Sequence, residues 1–545
     1  FKENIILNNI KSFIELCKND KQIYEFIHGK IIEITSSYYF YKLNHMINDS
    51  DNYINEVENI INFEKKNIFN LLEETNDSLV FNIYKTLLYS NYQVLLYNNQ
   101  FNIKKLLENK NFIKLKQIYL LFEDNRDIFY EIVKSYEEYL DENLEDLIDR
   151  YKKLIKKEYM DFFDKFINIY LTNQENINEY FESDKLFHKS LSDIFTKNLS
   201  KSIDSETLEN YLVQYINKIL TKKNKSDVDT SENINNIFLI FKLIRNKDIF
   251  INKYQNLLSI RLLNETYSDI EYEKKFLMKL KLECGSSSIL KLERMISDYL
   301  LHKDNSKKFN DYLNENNIKL PIEFNTKVLT YGNWPKFLDD NLILPPNLVK
   351  SQNIFNDYFL ETSSSRKLRW FHQYDSIELN AIFESNKYTI SCNIYQALVL
   401  LLFNDNLNLN KELIMKKTGI EHEVINKILH SLVSKHNLVN FKNDKYSLNN
   451  NFKSNLKKLK LLCPNLSYQK KESVVNIDRP IIIESLIVRI MKTRKMISHN
   501  ELVNELLIQI KNFVPEKSLI KERIESLIER DYIERTDINK YTYLA

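Results

Sequence analysis

Residues 480–545 read PIIIESLIVRIMKTRKMISHNELVNELLIQIKNFVPEKSLIKERIESLIERDYIERTDINKYTYLA. Pro480 suits the first position of a helix, because its missing N–H would have no helical partner there. Ser498 and Glu501 have the spacing of a capping box, which predicts that a second helix follows Ser498. A third amphipathic run starts near Glu516, and two short strands, YIER and YTYL, follow it. Three helices and a two-stranded wing predict a winged-helix domain.

A segment upstream has the same layout. Residues 392–449 predict a helix, a short helix, a turn at Gly419, a helix through 421–434 and two short strands, LVNF and YSLN. A lysine- and asparagine-rich stretch over 451–474 predicts a linker between the two segments. A winged-helix-like part therefore precedes the C-terminal winged helix.

The first 320 residues predict an almost wholly helical arm. No proline precedes Pro321 and only Gly29 and Gly285 interrupt this stretch, whereas a sheet-rich domain needs many turn residues. Apolar residues recur at the i, i+3, i+4, i+7 spacing of one buried helical face. Three such stripes are Leu115, Ile118, Tyr119 and Phe122; Phe129, Ile132, Val133 and Tyr136; and Ile237, Ile240, Phe241 and Ile244. Long helices with short links predict a stacked solenoid or bundle.

The pattern changes near residue 320, where prolines and glycines separate short runs rich in β-branched and aromatic residues. Such runs predict the strands of a small antiparallel sheet. The four runs are IEFNTKVLTYG at 322–332, RKLRWFHQ at 366–373, SIELNAIF at 376–383 and KYTIS at 387–391. We expect Trp334 and Trp370 to pack beneath this sheet.

Composition disfavours several functional classes. Lys+Arg 77 against Asp+Glu 75 leaves a formal net charge of +2, so the totals indicate neither a nucleic-acid-binding nor a membrane-surface protein. The longest apolar stretch, near 481–488, is too short to span a bilayer. Four scattered cysteines without metal or disulfide spacing predict a reducing compartment, the cytoplasm and nucleus; they are Cys17, Cys284, Cys392 and Cys463.

No catalytic centre is predicted, because the glycines are isolated and the histidines form no motif. The recognition helix expected within 516–532 has balanced charges, which disfavours binding to DNA phosphates. The residues alone leave two classes open. One is a winged-helix nucleic-acid-binding regulator, and the other is an assembly scaffold, in which a proteasome-lid type subunit has the same outline.

A family resemblance favours the scaffold. IVRIMKTRK at 487–495 closely resembles the modification motif of the cullins, and the run from 520 to the end resembles the cullin C-terminal signature. Further landmarks occur in family order: KDIF at 247–250, LKLECG at 280–285, GNWP at 332–335, LPPNLVKSQNIF at 344–355 and SRKLRW at 365–370. The motifs look most like the subfamily that uses the damaged-DNA-binding-protein adaptor. The complete modification motif disfavours the cullin-like subunit of the anaphase-promoting complex.

The resemblance implies a mostly α fold in five parts. They are helical cullin repeats at 1–195, a helical bundle at 196–318, an α/β region with a winged-helix-like part at 319–450, the linker at 451–474 and the winged helix at 475–545. Because the chain begins at Phe1 rather than Met, we expect the repeats to be N-terminally truncated. The surface for a substrate-receptor adaptor is then expected to be missing.

The resemblance also implies a non-catalytic scaffold of a RING-type ubiquitin ligase. Its C-terminal part would hold a RING-box subunit, which recruits a ubiquitin-conjugating enzyme. An exchange factor and a deneddylating signalosome are further implied partners. The resemblance assigns zinc to the RING-box subunit, so no metal or cofactor is expected in this chain. Neither nucleic acid nor a membrane is expected as a direct partner.

Two sets of site residues follow from the resemblance. Lys492 is the implied acceptor of an isopeptide bond to the ubiquitin-like modifier of the neddylation pathway, within the motif Ile487, Val488, Arg489, Ile490 and Met491. On a helix, the apolar members Ile487, Ile490 and Met491 share a stripe that excludes Lys492. The RING-box subunit is expected to add a strand to the small sheet, near Phe324, Val328, Leu368, Trp370, Ile377 and Leu379.

Overall fold

The computed structural model divides the chain into two compact units, Phe1–Asp204 and Ser205–Ala545. The residues it describes are 2–17, 20–46, 56, 59–60, 62–66, 103–122, 125–151, 155–202, 205–221, 227–337, 341–363, 365–383, 386–462, 475–537 and 539–544. Over these residues the prediction of a mostly helical chain with small sheets is confirmed.

Helices make up the regular structure described in the first unit. They are α1 Lys2–Cys17, α2 Lys21–Met46, α3 Ile103–Glu108, α4 Phe112–Phe122, α5 Arg126–Tyr151, α6 Ile155–Tyr180 and α7 Lys185–Ser202. The apolar stripes predicted on α4 and α5 are buried. Tyr136 at the centre of α5 donates a hydrogen bond to Asn173 Oδ1 on α6 at 3.2 Å. Helix α7 continues through the expected boundary at 195, and the unit ends at Asp204.

The second unit begins with a helical bundle. Its helices are α8 Ser205–Thr221, α9 Asp227–Leu243, α10 Lys247–Leu263, α11 Ile270–Cys284 and α12 Ser286–Glu315. The third predicted stripe, on and just after α9, is also buried. Gly285 joins α11 to α12 with a φ of 84°, a conformation that favours glycine. Helix α12 has 30 residues and is therefore about 45 Å long.

A buried ionic network joins three helices of this bundle. Arg261 on α10 donates from Nε and Nη2 to the two carboxylate oxygens of Glu273 on α11, at 2.6 and 3.0 Å. Its Nη1 donates to Asn217 Oδ1 on α8 at 2.7 Å. The Tyr254 hydroxyl donates to Glu273 at 2.5 Å, and burial together with that carboxylate raises the pKa of Tyr254 well above its usual value. Arg261 and Glu273 are 1% and 0% exposed, so water cannot replace either partner.

The α/β region contains helix α13 Pro346–Thr362 and a three-stranded sheet. The predicted strands at 376–383 and 387–391 are confirmed as β1 Ser376–Phe383 and β2 Asn386–Asn393, an antiparallel pair. The third strand, β5 Lys458–Lys460, runs parallel to β2. This strand lies within 451–474, so the prediction of a linker there is wrong for residues 458–460. The reason is that Leu459 packs on the apolar core beneath the sheet.

The other two predicted strands, at 322–332 and 366–373, are wrong: neither segment belongs to a sheet. Their apolar side chains instead bury against α12 and α13. The Asp298 carboxylate on α12 holds the first segment, accepting hydrogen bonds from Thr330 N and Trp334 Nε1, both at 2.8 Å. The β-branched and aromatic residues of these two segments therefore pack on helices and do not form strands. Trp334 and Trp370 also pack against these helices and not beneath a sheet.

The winged-helix-like part predicted at 392–449 is confirmed. It comprises α14 Ile394–Leu402, α15 Lys411–Thr418, α16 His422–His430, a π-helical turn Ser431–Lys435, β3 Val439–Lys442 and β4 Lys445–Leu448. We call it the internal winged helix. Gly419, with a φ of 72°, makes the predicted turn, and a Cβ there would clash with the carbonyl oxygen of Asn341. The Ile343 N–H donates to the Thr418 carbonyl at 2.9 Å, so segment 341–343 lies directly on this turn.

The C-terminal winged helix is confirmed too. It comprises α17 Val475–Arg494, β6 Met496–Ser498, α18 His499–Gln509, α19 Lys517–Glu529, β7 Ile533–Asp537 and β8 Lys540–Tyr543. The capping box of Ser498 and Glu501 is present, and the Ser498 hydrogen bonds lower the pKa of Glu501. The expected helix start at Pro480 is wrong, because α17 begins at Val475. Pro480 thus lies inside the helix, where its missing N–H removes one helical hydrogen bond.

We expect the substitution Arg261→Ala to lower the free energy of unfolding by about 3–5 kcal/mol, because it leaves the Glu273 carboxylate buried and uncompensated. Urea denaturation of the full chain, followed by circular dichroism, measures the change. The matched control is Lys274→Ala, which breaks an exposed pair with Glu271 on α11 and should cost at most about 0.5 kcal/mol. Equal losses in the two variants would contradict the structural importance of the buried network.

Candidate functional site

Lys492 lies on the exposed face of helix α17, whose opposite face is anchored in the core. Ile487, Ile490 and Met491 are buried, as the helical periodicity predicts. They pack with residues of α18 and α19 in the core of the C-terminal winged helix. Arg489 and Lys492 are exposed, and Val488 is half-buried. The helix therefore fixes the backbone of Lys492 at the surface, with the amine within reach of solvent.

The cations next to Lys492 have partners of their own. The Lys495 Nζ lies 5.2 Å from the centre of the Tyr543 ring, and its carbonyl accepts a hydrogen bond from Tyr543 N. Arg494 pairs with Glu505 on α18 at 3.3 Å. Lys492, by contrast, makes no hydrogen bond or ion pair with any residue that the structure describes. Of the two lysines at this helix end, Lys492 has the less encumbered amine.

The N-terminal part of α17 contacts the helical bundle. Arg479 donates from Nε and Nη2 to the Asp248 carboxylate, at 2.6 and 2.8 Å, and from Nη2 to Asn246 Oδ1 at 3.0 Å. Asp248 lies in the first turn of α10, where the helix dipole favours a negative charge. The Arg479 guanidinium also stacks 4.8 Å from the centre of the Phe513 ring. Charge, hydrogen bonds and an aromatic contact thus meet at one arginine.

A second contact lies beside the first. The Asp248 N–H donates to the carbonyl of Asn512, in the loop between α18 and α19, at 3.1 Å. The Asn512 side chain donates to Ser288 Oγ at the start of α12 at 2.7 Å. We call the contacts of Arg479 and Asn512 with the bundle the docking contact. It is small and polar, which suits an interface that opens and closes.

Four residues expected to bind a RING-box subunit lie together. Phe324, Val328, Leu368 and Trp370 pack against an apolar cluster formed by Phe309, Leu313, Phe355 and Tyr358 of α12 and α13. The Trp370 ring lies 5.9 Å from that of Phe355, and its Nε1 donates to Asn356 Oδ1 at 3.3 Å. Residues 319–329 make no backbone–backbone hydrogen bond with any described residue. Apart from the Thr326 backbone, which is hydrogen-bonded to the His302 side chain, their peptide groups are candidates for pairing with another chain.

The other two expected residues, Ile377 and Leu379, lie on β1 and pack on the core of the internal winged helix. The structure thus separates them from the four-residue cluster. Strand β1 is an edge strand, because the sheet order is β1-β2-β5. Its eight residues leave one row of backbone groups unpaired within the described sheet.

Neither a metal centre nor a membrane span is found in the described part of the chain. No group of three or more histidine, cysteine, aspartate or glutamate side chains is placed to hold a metal ion. No described helix combines the length and hydropathy needed to cross a bilayer. Cys17, Cys284 and Cys392 are buried free thiols, and burial raises the pKa of Cys284 to about 11 and of Cys392 to about 12.

Sequence reasoning missed the buried network and the docking contact. A signal for the first exists, because Tyr254, Leu258 and Arg261 have the spacing of one helical face. An arginine on an otherwise apolar stripe indicates a buried partner. No comparable signal exists for the docking contact, since Asp248 and Arg479 are 231 residues apart.

Comparison with known families matches almost the whole chain to one group. Residues 1–306 match the "Cullin alpha solenoid domain", residues 328–457 the "Cullin alpha+beta domain", and residues 478–539 the "Cullin protein neddylation domain". Lys492 and the docking residue Arg479 both fall within the third of these.

Curated relatives agree with this assignment. Cullin-1 of Oryza sativa subsp. japonica is 30% identical over 72% of this chain and 55% of its own length. Cullin-4A of Mus musculus is 30% identical over 82% of this chain and 60% of its own, and cullin-3 of Dictyostelium discoideum is 27% identical over 99% and 77%. These similar identities do not single out the subfamily expected from the sequence. The chain spans less than two thirds of the length of the first two relatives, and it belongs to the cullin family.

Proposed function

We propose that this chain is the scaffold subunit of a cullin-RING ubiquitin ligase, with Lys492 as the site of neddylation. The observation that carries the proposal is an exposed lysine, without a partner among the described residues, on a helix anchored by Ile487, Ile490 and Met491. The match of residues 478–539 to the cullin neddylation domain supports it. A ubiquitin-conjugating enzyme would supply the chemistry of ubiquitin transfer. Cytoplasm and nucleus remain the expected locations.

The proposed modification needs a neutral, accessible amine and nothing else from this chain. The Lys492 nitrogen would attack the thioester between the modifier and its conjugating enzyme. An isopeptide bond forms at the modifier's C-terminal carbonyl carbon, the enzyme thiolate leaves, and the amine loses one proton. An anchored helix favours this reaction because it restricts the backbone position from which the attacking amine extends.

We expect Lys492→Arg to abolish conjugation with purified neddylation enzymes, because the guanidinium retains the charge but is not an acceptor amine. Mass spectrometry of the product maps the adduct. The matched control is Lys495→Arg, three residues away, which should be modified at the wild-type rate because Lys495 lies against Tyr543. Wild-type conjugation of the Lys492→Arg chain, with the adduct on Lys495 or Lys511, would contradict the assignment.

The RING-box subunit is proposed to bind by adding a strand. Two described segments offer unpaired backbone groups for it: 319–329, next to the cluster of Phe324 and Trp370, and the outer edge of β1. Main-chain hydrogen bonds would give affinity, and alternate side chains in apolar pockets would give specificity.

We expect binding of a RING-box subunit to slow hydrogen exchange at the amides of 319–329, of 376–383, or of both, since a paired N–H is protected. Exchange measured by mass spectrometry, with and without the partner, tests this. The wing at 439–448 is the internal control, because the RING-box subunit is not proposed to bind there and its exchange should not change. A stable complex that protects neither segment would contradict strand addition.

Neddylation is proposed to act by a population shift that releases the C-terminal winged helix from the bundle. The docking contact is the resting state in this account. Arg479 and Asp248 are 17% and 20% exposed, so their ion pair is partly protected from solvent screening. A modifier on Lys492, at the other end of the same helix, would favour the undocked state by binding elsewhere on the complex.

We expect Arg479→Gln to weaken docking and to raise ubiquitin transfer by the unmodified ligase. Loss of a charge-assisted hydrogen bond costs about 1.5–3 kcal/mol, which shifts the docking equilibrium roughly 10- to 100-fold. Energy transfer between dyes on the bundle and the winged helix measures docking. The control Arg494→Gln removes an exposed pair with Glu505 outside the docking contact and should change neither quantity. Unchanged docking in Arg479→Gln would contradict this role.

A further inference from the structure

The last helix and the wing of the internal winged helix, together with the segment that follows the wing, carry a concentrated positive charge that the proposed scaffold function does not use. Residues 424–462 contain eight lysines and one aspartate, a formal charge of +7, whereas the whole chain carries only +2. The remainder of the chain is therefore net acidic. Because like charges repel, such a concentration is unfavourable unless an anionic partner compensates it.

The lysines lie on the last part of this domain and on the segment that follows it. Lys435 ends the π-helical turn after α16, Lys442 and Lys445 lie on the wing, and four more follow the wing. The segment after the wing returns to the π-helical turn, since Leu462 N donates to His436 Nε2 at 3.1 Å and the Leu462 carbonyl accepts from Ser431 Oγ. Lys460, two residues earlier, therefore lies on the segment that contacts the π-helical turn, which ends at Lys435. The four lysines after the wing are Lys453, Lys457, Lys458 and Lys460.

The wing itself indicates an anionic ligand. Lys442 and Lys445 are directly opposite each other across the hairpin, an arrangement that destabilises a sheet. Both are exposed, and neither forms an ion pair with a described residue. Beside them the half-exposed Phe441 lies against Tyr446, with ring centres 4.6 Å apart. An anion bound at the wing tip would relieve the repulsion that the hairpin otherwise retains.

The two winged helices differ in the number of ion pairs found among their described residues. In the C-terminal one, Arg523 and Arg530 both pair with Glu484, and Arg535 pairs with Glu525. On the internal wing, at the turn before it and in the segment after it, seven lysines make no ion pair with any residue in the described part of the chain: Lys435, Lys442, Lys445, Lys453, Lys457, Lys458 and Lys460. The charge balance that disfavours DNA binding by residues 516–532 therefore does not describe these lysines.

The exposed side of α16 also suits a nucleic acid. Val424, Ile425, Ile428 and Leu429 are buried, which leaves Asn426, Lys427 and His430 on the outer face. Glu421 and Glu423 at the start of the helix oppose close contact with base edges there. The charge distribution thus favours contacts with phosphates over sequence readout. A B-form major groove admits an α-helix, whereas the deep groove of A-form RNA does not.

We propose that the internal winged helix binds the phosphate backbone of double-stranded DNA without sequence preference, through the lysines of its π-helical turn, its wing and the segment after the wing. The surface is distinct from Lys492 and from the segments expected to bind a RING-box subunit. The scaffold would thereby hold itself near substrates on DNA.

The test uses the full-length chain and a fluorescein-labelled 20-base-pair duplex of arbitrary sequence, with binding followed by anisotropy from 50 to 200 mM salt. We expect micromolar affinity at the lowest salt, and each phosphate contact to add about 0.9 to the slope of log K against log salt. Changing Lys435, Lys442, Lys445 and Lys460 to glutamine should lower that slope by about 3 and weaken binding at least about 10-fold. Thermal unfolding confirms that the exposed substitutions preserve the fold.

The matched control removes four positive charges from the C-terminal winged helix, by changing Lys511, Lys517, Lys521 and Lys540 to glutamine. It should bind DNA like the wild type. Three results would overturn the proposal: no DNA binding by the wild type, equal losses in both variants, or equal binding of duplex RNA. A fourth is displacement of DNA by poly-glutamate at equal charge concentration, which would assign the surface to an acidic protein.

Discussion

The second unit depends on the salt bridge of Arg261 with Glu273, buried where α8, α10 and α11 meet. Removing two charges from water is unfavourable, and only the complete set of hydrogen bonds offsets it. The set includes Asn217 and Tyr254, so four side chains must be in register at once. Apolar stripes alone allow helices to slide or rotate against one another, whereas a bidentate ion pair in a dry interior has one geometry. The network therefore specifies the arrangement of the bundle more than it stabilises it.

Helix α10 contacts both the buried network and the C-terminal domain. Its interior carries Arg261, while its first turn presents Asp248 to Arg479. Helix α17 is divided in a similar way, with the docking arginine near its beginning, core residues in the middle and Lys492 near its end. One helix thus connects the interface with the bundle to the candidate acceptor amine. If Lys492 is modified as proposed, docking and modification would be coupled through this helix without a chain of side-chain rearrangements.

Local periodicity predicted much of this structure. The buried stripes of α4 and α5, the capping box at Ser498 and the outer position of Lys492 follow from 3.6 residues per turn and from the chemistry of helix ends. The segments around Phe324 and Leu368 were not predictable in the same way. Their β-branched and aromatic residues do not show whether the segment pairs with a strand or packs on a helix. The start of α17 before Pro480 and the pairing of β5 with β2 depend on distant neighbours. So does the docking contact, which no local pattern encodes.

The length of α12 determines the distance between two of the contacts described above. Ser288, near its first residue, accepts the hydrogen bond from Asn512, while Phe309 and Leu313 near its last turn support the cluster of Trp370. The 21 residues between Ser288 and Phe309 correspond to about 32 Å along a helix. An enzyme carried at the Trp370 end therefore has a gap to cross before it reaches groups at the Ser288 end. In the proposed ligase, a flexible tether or a movement of the winged helix would have to close that gap, and the length of one uninterrupted helix sets how far either would travel.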